Sequence, residues 1–495
     1  MPSLSRATLT GLPQTIARPD YDLGGVRVGI VHLGLGAFHR AHQAVYTEAI
    51  LHRDPGWGIC GVSLKTPRVT AVLGAQDGLY TVLEKGAEGT SARVIGALRE
   101  MLFLGTQRAS VIARMADPAV RVVSLTVTEK GYCHDPATGQ LNLLHPEIAH
   151  DLQHREAPAS AIGVLVAGLA ARRAAGAGAI NIVCCDNLPR NGRTVEGIVT
   201  AYAQAFDPGL AEWLGGHVAF PCTMVDRIVP ATTDVDIADA ARLLGVADAA
   251  PVVTESFNSW VIENRFAAAH PAWEDAGAQV VADIAPFETM KLRLLNGSHS
   301  TLAYLGFLSG HEFIWQASAD PLLATLIERL MTEEVLPTLA APPGVDLKAY
   351  CAQLIARFRN PALPHRTQQI AMDGSQKLPQ RLLATVRQRL ASGGSIAHLA
   401  LAVAGWIRYA SGTDEHGKPI AVADPLASKF ASIASVAHGN ASLIADAFLD
   451  LTAVFGVDLS ANVIFRRAVS RDVGGLIRDG VRRTLAVHIA QRRPQ

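Results

Sequence analysis

The chain has 495 residues, with 49% hydrophobic and 18% charged side chains. That length exceeds one ordinary domain, and that balance supplies a core and excludes wholesale disorder. Lys plus Arg and Asp plus Glu both number 44, so the chain carries no general basic footprint for nucleic acid or an anionic membrane.

No apolar run reaches the ~18 residues of a membrane helix. The longest, residues 161–171, is 11 residues of mostly Ala, Gly and Val, and Arg172 and Arg173 end it. The opening MPSLSRATLTGLPQ lacks an apolar stretch suited to a signal peptide. The six cysteines, Cys60, Cys133, Cys184, Cys185, Cys222 and Cys351, form no CxxC pair, and no histidine cluster has zinc spacing. This predicts buried, reduced thiols, no metal site and a cytoplasmic setting.

In chain order, a β-branched run over residues 26–31 leads into Gly34 and Gly36, and an apolar-periodic stretch follows from about Ala41. Strand, glycine turn and helix make the opening of a dinucleotide-binding βαβ unit. WGICGVSL, residues 57–64, reads as the second strand. Further candidate strands are LYTVLE near Leu79, VRVVSLTVT from Val120 and INIVCCD from Ile180, with Ala-rich helical stretches between them. That alternation predicts a mostly parallel sheet covered on both faces. Beyond about residue 285 the chain turns to long amphipathic segments, broken at residues 337–343, 360–364 and Gly393-Gly394. The predicted class is α/β. A Rossmann-type doubly wound sheet, for dinucleotide binding, spans residues 1–285. A mainly α-helical domain, for substrate and catalysis, spans residues 286–495.

The glycine turn reads Gly34-Leu35-Gly36-Ala37-Phe38-His39. It resembles GxGxxG, with His39 in place of the third glycine, which implies a wider helix–strand crossing. Gly34, Gly36, Ala37, Phe38, His39 and the following Arg40 are the candidate cofactor residues. The second strand ends Ser63-Leu64-Lys65-Thr66-Pro67-Arg68, without the acid that binds the ribose of NAD. Lys65 and Arg68 suit the 2′-phosphate of NADP, and equally well a role as solvated loop cations, so the residues leave NAD against NADP open.

INIVCCDNLP ends its apolar run at Asp186 and Asn187, where ligands meet the carboxyl ends of parallel strands. The segment FETMKLRLLNGSH holds Glu288, Lys291, Asn296 and His299. Lys291 and His299 are eight apart, about 80° around a helix and ~12 Å along it, and Glu288 neighbours Lys291. Asn296 is rotated ~140° from Lys291 on a straight helix, so a shared site requires a bend at Gly297. PCTMVDRIVP with Asp226-Arg227, and PHRTQQIAMDGSQKLPQ with His365, Arg366, Asp373 and Lys377, each read alone as surface loops.

Together the stretches GLGAFHRAHQAVYT, SLTVTEKGY, CCDNLPRNG, FPCTMVDRIVP, KLRLLNGSHS and IAMDGSQKLPQR resemble the polyol-specific long-chain dehydrogenase family. The resemblance implies NAD(H)-dependent hydride transfer without zinc, with a lysine as acid–base at Lys291. Asn187 and Asn296 match the asparagines that polarise the reacting oxygen. His299 matches a substrate-binding histidine and Glu288 a carboxylate on the proton path. Asp226 and Lys377 match substrate-binding positions. Mannitol-oxidising members carry an arginine eight residues before the lysine equivalent to Lys377; here that position is Gln369, and His365-Arg366 lie just upstream. The departure favours a sugar acid, with fructuronate reduced to mannonate, and makes Arg366 and His365 candidates for the far carboxylate. Oxidation of mannitol at C2 is the alternative. A non-catalytic sugar-acid sensor would have damaged the Lys/Asn/Asn/His set, which is intact. Oligomeric state stays open.

Overall fold

In the computed structural model, which describes residues 1–86, 88–135 and 138–491, the chain forms two units, Met1–Ala285 and Pro286–Gln495. The first is built on six parallel strands: β1 (Val28–Leu33), β2 (Gly58–Ser63), β3 (Leu98–Phe103), β4 (Val122–Leu125), β5 (Ile180–Cys184) and β6 (Val218–Ala219). Their order across the sheet is β3-β2-β1-β4-β5-β6. The order reverses between β1 and β4, the switch point where doubly wound sheets open a crevice. Val31 of β1 sits in register with Cys60 on one side and Val123 on the other. Helices such as Leu104–Ala116, Ala161–Ala174 and Asn191–Phe206 carry the crossovers. Arg172, which ends the longest apolar run, is buried and donates to the carbonyls of Met115, Asp117, Ala177, Gly178 and Ala179.

Two predicted elements fall elsewhere. The strand near Leu79 exists, as Tyr80–Gly86, but it leaves the parallel sheet. It pairs antiparallel with Gly89–Ile95 and parallel with Val252–Thr254. A strand followed at once by its own hairpin partner cannot also make a right-handed crossover. PCTMVDRIVP is no surface loop either. Thr223–Asp226 is a buried strand paired antiparallel with Ser259–Glu263. Arg227 is tolerated there because it donates to Ala41 O (2.5 Å), Glu255 O and Glu84 Oε1 (2.7 Å).

The second unit is helical. Ala397–Ala410 is buried along its whole length, and Gly297–Leu308 nearly so. Helices apolar all round belong at the centre of a core. Small residues let them approach: a Cβ at Gly405 would lie 2.7 Å from Leu305 Cδ2. Trp406 then packs against Phe430, Phe448 and Phe455. The stretch of residues 364–380, read alone as a loop, contributes two short helices, Thr367–Ala371 and Gly374–Leu378. Among the described residues no helix is long and apolar enough to cross a membrane.

Candidate active site

The glycine turn of the first unit follows β1 directly. Gly34 has φ +100°, and a Cβ there would lie 2.1 Å from Thr126 O, so only glycine lets β1 pass β4 at the switch point. Gly36 is exposed and caps the helix Ala37–Ala41. That helix is short: it breaks at His42 (φ −123°, ψ −87°) before Gln43–Ile50 resumes. Ala37 and Phe38 are half-buried at its start. His39 and Arg40, both candidate cofactor residues, turn inward instead. His39 stacks on His32 of β1 with centroids 3.4 Å apart. It fills the space that a third glycine would have left for close helix–strand packing. Arg40 is buried, donates to Ala250 O (2.6 Å) and Gly36 O (3.3 Å), and lies over the Tyr80 ring. Lys65 and Arg68 are exposed beyond β2.

Burial keeps both histidines neutral, His32 down at about 3 and His39 well below the usual range. Thr126 Oγ1 donates to Gly34 O (2.9 Å), which leaves its lone pair for His32 Nε2–H (2.8 Å); His32 Nδ1 then accepts from Ser124 Oγ (2.8 Å). His39 has no hydrogen-bond partner on either ring nitrogen among the described residues.

Asn187 is exposed just beyond β5. Its loop is fixed by the neighbouring Asp186, which sequence reading left without a role. Asp186 accepts from Val127 N (2.8 Å), Thr128 N (3.2 Å) and Tyr132 OH (2.7 Å). Thr128 has φ +67° and ψ 158°, a strained conformation for a β-branched residue. The Asp186 carboxylate thus ties the loop after β5 to a strained loop after β4. Burial outweighs those three donors and leaves Asp186 raised, at about 6. Asn191 braces the other side, donating to Cys184 O and Asp186 O. Asp226 is buried at the end of its strand.

In the second unit, helix Ala285–Met290 runs into a π turn, Lys291–Asn296, and then helix Gly297–Leu308. The bend expected at Gly297 is absent; Gly297 has helical φ −64° and ψ −49°. The π turn does the work instead. Closing hydrogen bonds i→i+5 puts more residues in each turn, so residues five apart come round to nearly one face. Lys291 and Asn296, both 7% exposed, are such a pair. Glu288 is half-buried one turn earlier. Gly297 keeps the segment close to a second π turn, Pro379–Leu383: a Cβ there would lie 2.8 Å from Arg381 O.

His299 is 6% exposed, and its Nε2 has no hydrogen-bond partner among the described residues. It stacks on Phe358 and meets His365 edge-on at 5.0 Å. Burial holds it well below the usual histidine range, and His365, Arg381, Arg357 and Lys377 push it further. Burial likewise lowers His365 to about 4. Lys377 Nζ donates to Met372 O (2.6 Å). Arg366 does not join this group. Its side chain is 61% exposed, ion-paired with Glu312 and laid over Phe313. Arg357 and Arg381, which sequence reading passed over, face His299 instead.

The strand order and glycine turn define a dinucleotide-binding α/β unit, followed in the chain by a helical unit. Family models agree: residues 28–275 match the mannitol dehydrogenase Rossmann domain and residues 283–476 the mannitol dehydrogenase C-terminal domain. The chain belongs to the mannitol dehydrogenase family. It is 48% identical over 476 residues to a D-mannonate oxidoreductase of Escherichia coli (strain K12), covering 95% of this chain and 98% of that one. It is 39% identical over 480 residues to a mannitol 2-dehydrogenase of Phaeosphaeria nodorum, covering 96% and 83%. Among solved structures it is similar to the Pseudomonas fluorescens mannitol 2-dehydrogenase in ternary complex with NAD and D-mannitol. The TM-score is 0.91 at 38% identity, covering 99% of this chain and 100% of that one.

Proposed function

We propose that this chain is an NAD(H)-linked secondary-alcohol dehydrogenase that interconverts D-fructuronate and D-mannonate, with Lys291 as acid–base and no metal. The observation that carries the reading is the π turn, which sets a buried lysine and a buried amide on one face, next to a neutral histidine ringed by cations. The name of the Escherichia coli relative supports the substrate.

The glycine turn suits a dinucleotide. A Cβ at Gly36 would approach only Gly34 O, at 3.7 Å, so the turn leaves room for a pyrophosphate beside the start of the helix Ala37–Ala41. The nicotinamide supplies the two-electron chemistry when bound. Lys291 takes the hydroxyl proton during oxidation and returns it during reduction. Asn187 and Asn296 donate to the oxygen as it gains charge, and Glu288 passes the proton onward. His299, Asp226, His365 and Lys377 hold substrate hydroxyls and the carboxylate. Arg366 joins them by exchanging Glu312 for the substrate. An exposed ion pair contributes only ~0–1 kcal/mol, and a charged hydrogen bond ~1.5–3 kcal/mol, so the exchange is downhill. Six free, buried cysteines suit a cytoplasmic setting.

A second reading, D-mannitol oxidation, is favoured by the likeness to the mannitol 2-dehydrogenase complex along nearly the whole chain. The test is to supply NADH, or NADPH, with fructuronate or fructose and follow the reduced nicotinamide. Faster turnover of fructuronate with NADH is expected. Preference for fructose overturns the sugar-acid reading, and preference for NADPH overturns the cofactor. Turnover of neither substrate with either cofactor overturns the dehydrogenase itself.

A further inference from the structure

Between β4 and the helix Pro146–Gln153 the chain makes a long excursion, and its two ends return to one place. Cys133 lies at the start, in left-handed backbone (φ +50°). His145 and Glu147 lie at the end, where His145 caps the helix through a long contact with Glu147 N (3.3 Å). One donor atom from each of Cys133, His145 and Glu147 falls within 4.8 Å of the others. The Cys133 thiol points at Glu147 Oε2 from 3.8 Å. Cys133 is buried, His145 half-buried and Glu147 exposed, so the group has a protein side and a solvent side. Sequence spacing hides it: Cys133 and His145 are twelve positions apart, unlike the short pairs that mark zinc sites.

We propose that Cys133, His145 and Glu147 form a zinc site that clips this excursion shut. The donor set selects the metal. Sulfur and imidazole nitrogen favour zinc over magnesium or calcium, which demand oxygen. Zinc binds sulfur at ~2.3 Å and nitrogen or oxygen at ~2.0–2.2 Å, so tetrahedral neighbours sit roughly 3.3–3.8 Å apart. The Cys133–Glu147 separation is already at that limit. On binding, the Cys133 S–H bond breaks, its proton goes to buffer, and sulfur donates an electron pair to the zinc; no electron is transferred. Water takes the fourth position. The cap from His145 is long enough to be given up. The site is independent of the proposed reaction, in which no metal takes part, so each can fail without the other.

The test uses the full chain, stripped with chelator and titrated with zinc chloride by calorimetry, with magnesium chloride as control. The expected result is about one equivalent bound, with affinity reduced at least tenfold by Cys133→Ser and by His145→Gln, as loss of a ligand requires. Zinc should also raise Tm by at least about 2 °C, because a ligand bound only to the folded state stabilises it. His145→Gln changes a half-buried side chain, so the test stands even if Cys133→Ser folds poorly. No saturable zinc uptake, or uptake unchanged in the variants, overturns the site.

Discussion

Each unit buries a pair of histidines, and the two pairs sit in opposite surroundings. His32 and His39 lie ring on ring beneath the glycine turn, with His32 bonded at both nitrogens and no carboxylate or ligand space between them. His299 and His365 meet edge-on, each with a ring nitrogen lacking a partner among the described residues, and Arg357, Lys377 and Arg381 surround His299. Burial alone therefore does not separate a packing histidine from a working one. The charge around it does. Beside the first pair stands Arg40, whose guanidinium is held by the carbonyls of Gly36 and Ala250. The second stands in a field that rejects a proton and attracts an anion.

The largest effect should come from the second unit. Lys291→Ala should lower turnover by roughly 10²–10⁴-fold while NADH binding, measured by fluorescence, persists. Near-normal turnover would remove the chemistry from this unit. Next, Asn296→Ala or Asn187→Ala should each lose about 10²–10³ in kcat, since one donor to a developing oxyanion contributes ~2.7–4 kcal/mol. A drop in Tm with normal specific activity would make either one structural.

The histidines themselves sharpen the contrast. His299→Asn should cut kcat/KM on the preferred substrate about tenfold or more, as loss of a substrate hydrogen bond of ~1.5 kcal/mol does, with little change in Tm. His39→Asn should do the reverse, losing roughly 1–3 kcal/mol of stability with turnover per folded molecule kept. Matching behaviour in the two variants would erase the distinction. Arg366→Ala should slow fructuronate by roughly 10- to 150-fold, the equivalent of ~1.5–3 kcal/mol, and leave fructose nearly unchanged; equal losses would return Arg366 to the surface pair with Glu312.

Acid should weaken both units. His32 and His365 titrate in the folded chain near 3 and 4, below the 6.5 of an unfolded histidine. The unfolded state then binds more protons between those values, so stability is complete above about 6.5 and falls as pH drops through 4 toward 3. Urea midpoints at pH 7 and pH 5 measure this, and a higher midpoint at pH 5 would contradict it. The smallest effect is on catalysis by chelation: with a lysine as acid–base, dialysis against a strong chelator should leave kcat within about twofold.

Much of the first unit was legible because its signals are local. A β-branched strand must feed a turn, and glycine is required at Gly34, where φ is +100° and a Cβ would meet Thr126 O. The second unit's helices and their breaks were legible for the same reason. The strand at Tyr80–Gly86 was misplaced because pairing partners are not written into a strand's own residues. Thr223–Asp226 read as loop because Asp226-Arg227 interrupts its pattern, and the acceptors that make Arg227 tolerable come from Ala41, Glu84 and Glu255. Asp186 carried no visible role for a similar reason: its donors, Val127, Thr128 and Tyr132, lie far back in the chain. The π turn has no composition of its own, so Lys291 and Asn296 appeared on different faces.

That π turn can be viewed as an α-helix that has absorbed one surplus residue. The surplus is taken up inside the turn itself, so the helix from Gly297 onward leaves it in the phase it would have without the extra residue. Deleting a single apolar residue inside it, Leu292 for instance, would let the ladder re-form as an ordinary helix. The flanks would keep their phase, because the wide turn had already taken up the extra residue; what would be lost is one partly buried leucine and the widened turn that presents Lys291 and Asn296. The count of residues matters inside the turn, between Lys291 and Asn296, and not for the register of the helices that flank it.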